Sequence, residues 1–457
     1  MGKLFGTDGI RGVANQTLTC ELAYRMGQAV AISLSKETHS VPTVVIGKDT
    51  RISSDMLEYA LLAGLCASGC NAISLGVIPT PAVAYLTVYH HADAGIVISA
   101  SHNPYEYNGI KMFSAEGFKL NDALEEEIEE LILSGENLAV KTHGELGRVI
   151  DGRESTEAYI RHLVSTVGGL SGLRILVDCA NGASSATAGR LFSHFDLIVA
   201  VINNSPDGIN INDHCGSTHL SGLADLVRRG GYDLGIAFDG DADRCLVVDE
   251  QGNEVDGDKI MAICARSMRS KGTLKNDGFV ATVMSNLGLH KYCGENGLKL
   301  LCAAVGDRNV LEMMQKEDMR LGGEQSGHII FLDHMTTGDG QLAALQFLQI
   351  LCESKLPVSK LAGDISRYPQ VLINVAGPHD NAAKKELIES EAVRISVKEG
   401  DAMLAGDGRI LLRASGTEAL IRVMVEASTQ EMAQKVAEHI AEAVKNAQKN
   451  RLNLESL

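Results

Sequence analysis

The sequence predicts an α/β protein: three similar mixed-sheet α/β units followed by a smaller C-terminal α+β unit. Three observations carry this. Short apolar runs alternate with helix-period stretches across small polar turns as far as residue 366. At 457 residues the chain is too long for one ordinary core. Beyond residue 366 the pattern becomes strands closed by one long C-terminal helix. The expected units are residues 1–150, 151–255, 256–366 and 367–457.

The chain opens with Phe5-Gly6-Thr7-Asp8-Gly9-Ile10-Arg11-Gly12. Glycines let backbone approach an anion closely while Arg11 supplies a guanidinium fork; the plainer alternative is a flexible terminal turn. A helix is expected from Glu21, a strand over 43–47, the polar turn Lys48-Asp49-Thr50-Arg51, and a second helix through Leu65. The run Gly95-Ile96-Val97-Ile98 then stops at Ser99-Ala100-Ser101-His102-Asn103-Pro104, where Asn103-Pro104 forces an extended or turned backbone. That strand presents a hydroxyl at its tip. His102 follows Ser101 directly and Lys111 lies ten residues on, so a nucleophile, an imidazole and a movable cation can share one loop. Taken alone, such a turn is most often only a turn. Asn121 opens a helix with Leu124, Ile128, Leu131 and Ile132 on one face, ended by Gly135, and residues 137–155 read as a linker.

The second unit starts with a strand over 174–178 and ends with strands over 233–238 and 245–249. Between the last two lies Asp239-Gly240-Asp241-Ala242-Asp243-Arg244. Three carboxylates packed this closely do not ionise comfortably without a cation, and an all-oxygen acid set suits Mg²⁺. A calcium hand also begins Asp-x-Asp-x-Asp, but its sixth position needs Gly where this chain has Arg244, and strands flank the loop instead of helices. A solvated hairpin turn accounts poorly for a fixed cation beside three acids.

The third unit carries a strand over 279–284, the turn Ser285-Asn286-Leu287-Gly288 and Val305-Gly306-Asp307-Arg308. Its main signal is Gly322-Gly323-Glu324-Gln325-Ser326-Gly327-His328, followed by Thr336-Thr337-Gly338-Asp339-Gly340. A carboxylate, a hydroxyl and an imidazole between glycines can hydrogen-bond sugar hydroxyls, although one charged loop residue is ordinary. The last unit has strands over 371–375, 409–412 and 421–425 and a helix with Ser428 and Glu431 as capping pair. Met432, Val436, Ile440 and Val444 share its apolar face. Arg413-Ala414-Ser415-Gly416-Thr417-Glu418, with Arg422 nearby, can cradle a dianion or serve simply as a hairpin loop.

Bulk properties narrow the partners. A net charge of −17 opposes general binding to nucleic acid, so an anionic substrate requires locally gathered cations. No apolar run reaches the roughly 18 residues a membrane span needs, and with no signal-peptide pattern the expected location is the cytoplasm. Ten cysteines are scattered without Cys-x-x-Cys, and Cys66 and Cys70 read as small apolar side chains on one helix face.

The five loops at Gly6, Ser101, Asp239, Gly322 and Arg413, in this order and across essentially the whole chain, resemble those of the α-D-phosphohexomutases. The resemblance implies four domains around a central cleft and a phosphoserine at Ser101. One Mg²⁺ per subunit would sit on Asp239, Asp241, Asp243 and a phosphoryl oxygen of Ser101. Arg11 and Arg244 would assist charge neutralisation, His102 would orient the phosphoserine, and Lys111 or His328 would accept the hydroxyl proton. Glu324 and Ser326, with Asp307 and Arg308, would meet the sugar; Arg413, Ser415, Gly416, Thr417 and Arg422 would hold its non-reacting phosphate. A sugar bisphosphate would be intermediate and activator. Gln325 and the Thr336 to Gly340 segment look most like the branch acting on hexosamine phosphates, glucosamine 6-phosphate and glucosamine 1-phosphate, with glucose or mannose phosphates as the alternative. A phosphatase or a sugar-phosphate sensor would be the readings outside this class, and a homodimer is the assembly allowed for. The family's phosphate loop commonly reads Arg-Pro-Ser-Gly-Thr-Glu-Pro, whereas Ala414 and Ala419 stand here, which predicts a looser cradle.

Overall fold

The computed structural model describes residues 4–6, 8–37, 40–136, 138–415 and 419–455. The chain forms two compact bodies, one comprising residues up to Met284 with Gly297–Asp364, the other Ser285–Asn296 with Ile365 onward.

The first body holds three sheets. The first runs β1 (Ile10–Val13), β5 (Tyr107–Ser114), β4 (Ala94–Ile98), β2 (Thr43–Lys48), β3 (Asn71–Val77), β6 (Val149–Asp151) in spatial order. β2 is parallel to β3 and β4, whereas β5 is antiparallel to β4 and β1, so the sheet is mixed. Every residue of β4 is buried, which is why the sequence there is a continuous apolar run instead of an alternating one. Helices Cys20–Glu37 and Ile52–Ala67 cover one face and pack Met26, Val30, Leu57 and Leu61 against Ile46 and Ile96. The strand tips at the β4 end carry the polar loops. Asn121 caps the helix Asp122–Leu133 through the Leu124 N–H at 2.9 Å, as its sequence predicts.

Two local readings change in this layer. The segment expected as a linker contains β6, paired in parallel with β3; three exposed residues on a sheet edge carry no periodicity from which to read a strand. Cys70 is not on the helix with Cys66: the helix ends at Ala67, and Cys70 sits in the turn into β3, its thiol pushed up to about 12 by burial, Asp93 and Cys66.

The second sheet is ordered β11 (Glu254–Val255), β10 (Cys245–Asp249), β9 (Leu234–Phe238), β7 (Ser171–Asp178), β8 (Asp196–Ile202). β9 and β10 are antiparallel neighbours, fully buried, so the acidic loop between them is a rigid hairpin at a sheet end. The third is ordered β13 (Lys299–Ala303), β12 (Gly278–Thr282), β14 (Leu321–Gly323), β15 (Ile329–Phe331). β14 and β15 flank the Glu324 to His328 loop. Among the described residues no helix is long and apolar enough to cross a membrane.

The second body is an antiparallel sheet in the order β16 (Gln370–Ala376), β18 (Leu420–Ala427), β17 (Gly408–Ala414), with helices Asn381–Glu389, Glu391–Leu404 and Gln430–Glu455. Val423, Val425, Val436, Ile440 and Val444 form its core. The long helix is capped by Thr429, whose Oγ1 accepts from Met432 N at 3.2 Å, and not by the predicted Ser428. Helix Leu287–Glu295 belongs to this body through Glu426, which is buried and accepts from Leu287 N at 2.9 Å and Asn286 Nδ2 at 3.2 Å.

Candidate active site

β4 delivers Ser101 to a buried position in the left-handed region, φ +54°, which a non-glycine residue holds only when its surroundings over-determine it. The surroundings do so. Arg51, fully buried with Asp49 at 2.8 Å, donates to the carbonyls of Ser101 (2.9 Å), Asn103 (2.8 Å) and Pro104 (2.5 Å). From the second sheet's loops, Asn212 Nδ2 donates to the same Ser101 and Asn103 carbonyls at 2.9 and 3.1 Å. Ser99 Oγ accepts the Ser101 N–H at 2.9 Å and donates to Asp49 at 2.6 Å. The hydroxyl is thereby aimed, and Ser101 Oγ donates to Asp239 Oδ2 at 2.7 Å. Replacing Arg51 by methionine leaves the Asp49 carboxylate buried without its cation, and is expected to cost about 3–5 kcal/mol of stability. Thermal unfolding beside Arg51→Lys checks this: lysine restores the charge but not the fork, so its loss should be smaller.

Asp239, Asp241 and Asp243 are buried, and one ligand oxygen from each lies within 4.8 Å of the others. Gly240 permits this approach to the serine loop, because an added Cβ would lie 2.5 Å from the Ser101 carbonyl oxygen. Burial, Asp243 and Asp241 push the Asp239 carboxyl well above the carboxylate range, while Asp243 is held below it against burial by Lys111, His328 and Arg244. Asp241 Oδ1 and Asp243 Oδ1 are buried without a hydrogen-bond partner. Two orphaned acceptors within a cluster of three buried acids are what a hard divalent cation satisfies, so the residues fit such an ion. Among the described residues no other His, Cys, Asp and Glu side chains are gathered this way.

Beyond the triad the charges close into a ring. Lys111 Nζ lies 3.1 Å from Asp241, 3.1 Å from Asp8 and 3.8 Å from Asp243. His328 Nδ1 lies 3.5 Å from Asp243 and Nε2 3.7 Å from Asp307; Lys119 joins Asp307 back to Asp8, 2.7 Å from each. Burial opposes the charged Lys111, but Asp241, Asp8 and Asp243 outweigh it and raise its pKa. At His328, burial and the Gly338 N–H, donated to Nε2 at 3.2 Å, favour the neutral ring; Asp243, Asp307 and Glu324 prevail and lift it to about 9. Gly338 is the residue type that fits there, since an added Cβ would come within 2.5 Å of that nitrogen.

His102 behaves oppositely. Its Nδ1 is 3.4 Å from Ser101 Oγ, and burial, Arg244 and Arg11 push it down to about 4 from the ordinary 6.5, against Asp243 and Asp241. Between pH 6.5 and 4 the unfolded chain therefore binds a proton that the folded site refuses, and stability falls as pH drops through that window. His102→Gln is expected to lose less stability over the same window, measured as melting temperature against pH.

The remaining sugar-loop positions are placed as follows. Glu324 accepts the Gly306 N–H at 3.1 Å, and Ser326 Oγ is buried without a partner. Arg308 points to the first layer, donating to Leu120 O at 2.6 Å and pairing with Asp122, and Asp307 is taken up by Lys119. Arg11 pairs with Asp8, and Arg244, half-buried, has its Nε 3.8 Å from Asp243. Sequence reasoning missed Asp8, Arg51, Thr80, Lys119 and Asn212. Asp8 and Arg51 lie in stretches already singled out, the glycine loop and the turn after β2, and the others gave no local signal.

In the second body, β17 and β18 place Arg413 directly opposite Arg422. Two guanidinium groups facing each other are unfavourable unless an anion joins them, and burial and Arg422 lower the Arg413 pKa accordingly. Lys384 Nζ donates to the Ser415 carbonyl at 2.7 Å, and Ser415 N to Leu420 O at 2.9 Å. These bonds pin the feet of the loop where Ala414 and Ala419 stand in place of prolines. Gly416 and Thr417 lie outside the described residues.

A serine hydroxyl aimed into a buried carboxylate cluster that also holds a lysine and a histidine is equipment for moving a phosphoryl group between hydroxyls. Comparison with known proteins gives the same class, a phosphohexomutase, which is an isomerase. Sequence models of phosphoglucomutase/phosphomannomutase α/β/α domains I, II and III match residues 2–139, 157–252 and 256–368, and the C-terminal domain matches 372–443. The chain belongs to the phosphoglucomutase/phosphomannomutase family. It is 52% identical to a phosphoglucosamine mutase of Clostridium acetobutylicum over 94% of this chain and 96% of that one. In fold it is similar to a phosphoglucomutase/phosphomannomutase family protein of Burkholderia thailandensis, with TM-score 0.80, 24% identity and 97% of each chain covered. The N-acetylphosphoglucosamine mutase of Aspergillus fumigatus, solved with GlcNAc-6P and magnesium, shares the fold at TM-score 0.68 and 19% identity over 97% of this chain and 96% of that one.

Proposed function

We propose that the protein interconverts glucosamine 6-phosphate and glucosamine 1-phosphate in the cytoplasm, through a phosphoserine at Ser101 and a bound sugar bisphosphate, supplying UDP-N-acetylglucosamine and cell-wall synthesis. The observation that carries the mechanism is Ser101 Oγ, buried and 2.7 Å from Asp239 within the triad. The choice of sugar rests on identity to the phosphoglucosamine mutase over nearly all of both chains.

A sugar hydroxyl attacks the phosphorus on Ser101; its bond to phosphorus forms as the P–Oγ bond breaks, and its proton passes by way of Lys111 or His328 to the departing Ser101 Oγ, which is left as the hydroxyl. The bisphosphate turns over, and the reverse transfer returns its other phosphoryl group to Ser101. Asp239, Asp241 and Asp243 would hold Mg²⁺ together with a phosphoryl oxygen on Ser101. When bound, Mg²⁺ supplies positive charge beside the transferring group and offsets the carboxylate charge that keeps Lys111 and His328 protonated. Arg11 and Arg244 add guanidinium charge at the same place, and neutral His102 orients the phosphoserine. Glu324 and Ser326 meet the sugar, Asp307 faces His328 of the same loop, and Arg308 is drawn away from it to Asp122. Arg413, Ser415, Gly416, Thr417 and Arg422 hold the phosphate that does not react.

The experiment is kcat/KM for glucosamine, glucose and mannose 6-phosphates in parallel, with Mg²⁺, the matching bisphosphate and Ser101-phosphorylated protein. Glucosamine 6-phosphate is expected to lead clearly. A lead for glucose or mannose phosphate overturns the substrate and leaves the mechanism standing.

A further inference from the structure

Resting on the triad as a cation site, we infer that the Thr80 hydroxyl sets which oxygen of Asp241 faces the cation, so that cation affinity depends on a residue that is not itself a ligand. Thr80 begins the helix Thr80–Tyr89, between Pro79 and Pro81, and is 3% exposed. It belongs to the first sheet's layer, whereas Asp241 belongs to the second, 161 residues away. The two are joined twice: Thr80 Oγ1 donates to Asp241 Oδ2 at 2.7 Å, and Thr80 N donates to the Asp241 carbonyl at 2.9 Å.

Oδ2 also accepts from Lys111 at 3.1 Å, so both donors fall on one oxygen. Oδ1 is left buried without a partner and free for a cation. Rotation of the carboxylate would abandon the Thr80 bond. Thr80 is held by its own backbone bond and by the narrow χ1 choice of a β-branched side chain, so it cannot follow. The two donors differ in permanence. Lys111 is a flexible cation, and in the proposed reaction it is one of the two groups that meet the sugar hydroxyl. Thr80 is neutral and fixed by its backbone bond to Asp241, so it keeps that carboxylate oriented throughout. Groups that orient ligating carboxylates typically alter metal affinity about 10–100-fold when removed.

The test is calorimetric titration of Mg²⁺ into the full, unphosphorylated chain, comparing the unaltered protein with Thr80→Val, Thr80→Ser and Asp241→Asn. Valine keeps the shape and the backbone bond and removes only the hydroxyl. Weakening of about 10–100-fold in Thr80→Val, recovered in Thr80→Ser, with metal-free melting temperatures alike, is expected. Should the valine variant fail to fold, Thr80→Ala takes its place in the same comparison. Affinity unchanged in Thr80→Val while Asp241→Asn loses binding overturns the Thr80 inference alone, as does a serine variant as weak as valine. Affinity unchanged in Asp241→Asn overturns the cation site and the inference with it.

Discussion

Exchange of Ser101 for alanine is expected to lower kcat/KM by about 10⁴-fold or more while the fold persists. The Ser101 side chain contributes nothing to the brace around it: Arg51 and Asn212 hold its carbonyl, and Ser99 holds its N–H. Alanine therefore inherits the loop and loses only the phosphoryl acceptor. Ser99→Ala makes the informative contrast, since it removes the acceptor for the Ser101 N–H but leaves the nucleophile. Misplacing a nucleophile costs up to about 10²-fold, and the smaller loss is expected there. Steady-state kinetics of both variants, with intact-mass measurement of phosphoryl occupancy, check the pair: Ser101→Ala should take up no phosphoryl group and Ser99→Ala should still do so.

Removal of Mg²⁺ by a chelator is the second large effect, expected to reduce kcat by about 10³-fold and to be reversed by added Mg²⁺. Three buried carboxylates are balanced by Lys111, Arg244 and His328, and two carboxylate oxygens accept no hydrogen bond. The same electrostatics predict a stability effect. A cation that binds only the folded state at 100 times its Kd adds about 2.7 kcal/mol, so melting temperature should rise with Mg²⁺ concentration and cease to respond in Asp243→Asn. Activity that survives chelation would leave the orphaned oxygens without a function.

Much of this arrangement is legible in the sequence because short segments encode it. The strands β9 and β10 are apolar runs on either side of the acidic loop, and their strand character, with Arg244 where a glycine would be needed, separates that loop from a calcium hand. The Ser101 loop, the Glu324 loop and the opposed arginines are likewise contiguous motifs. What stays hidden depends on contacts between distant segments. Nothing near Arg51 says that its guanidinium will reach three carbonyls 50 or more residues away, and nothing near Lys119 points to Asp307, 188 residues on. Arg308 and Asp307 show the same limit from the other side. They sit in a motif associated with substrate, yet their side chains meet Leu120, Asp122 and Lys119. Local errors have local causes: β6 is too short and exposed to show a period, and Ser428 and Thr429 are adjacent caps between which only geometry decides.

The central claim is that a phosphoryl group travels from Ser101 to a sugar hydroxyl. Its most direct test is a single turnover of protein carrying isotopically labelled phosphate on Ser101, mixed with unlabelled glucosamine 6-phosphate and quenched. Label is predicted in the sugar bisphosphate and then in sugar phosphate, with the label on the protein falling in step. Label released as inorganic phosphate would mean that water is the acceptor, and would contradict the account.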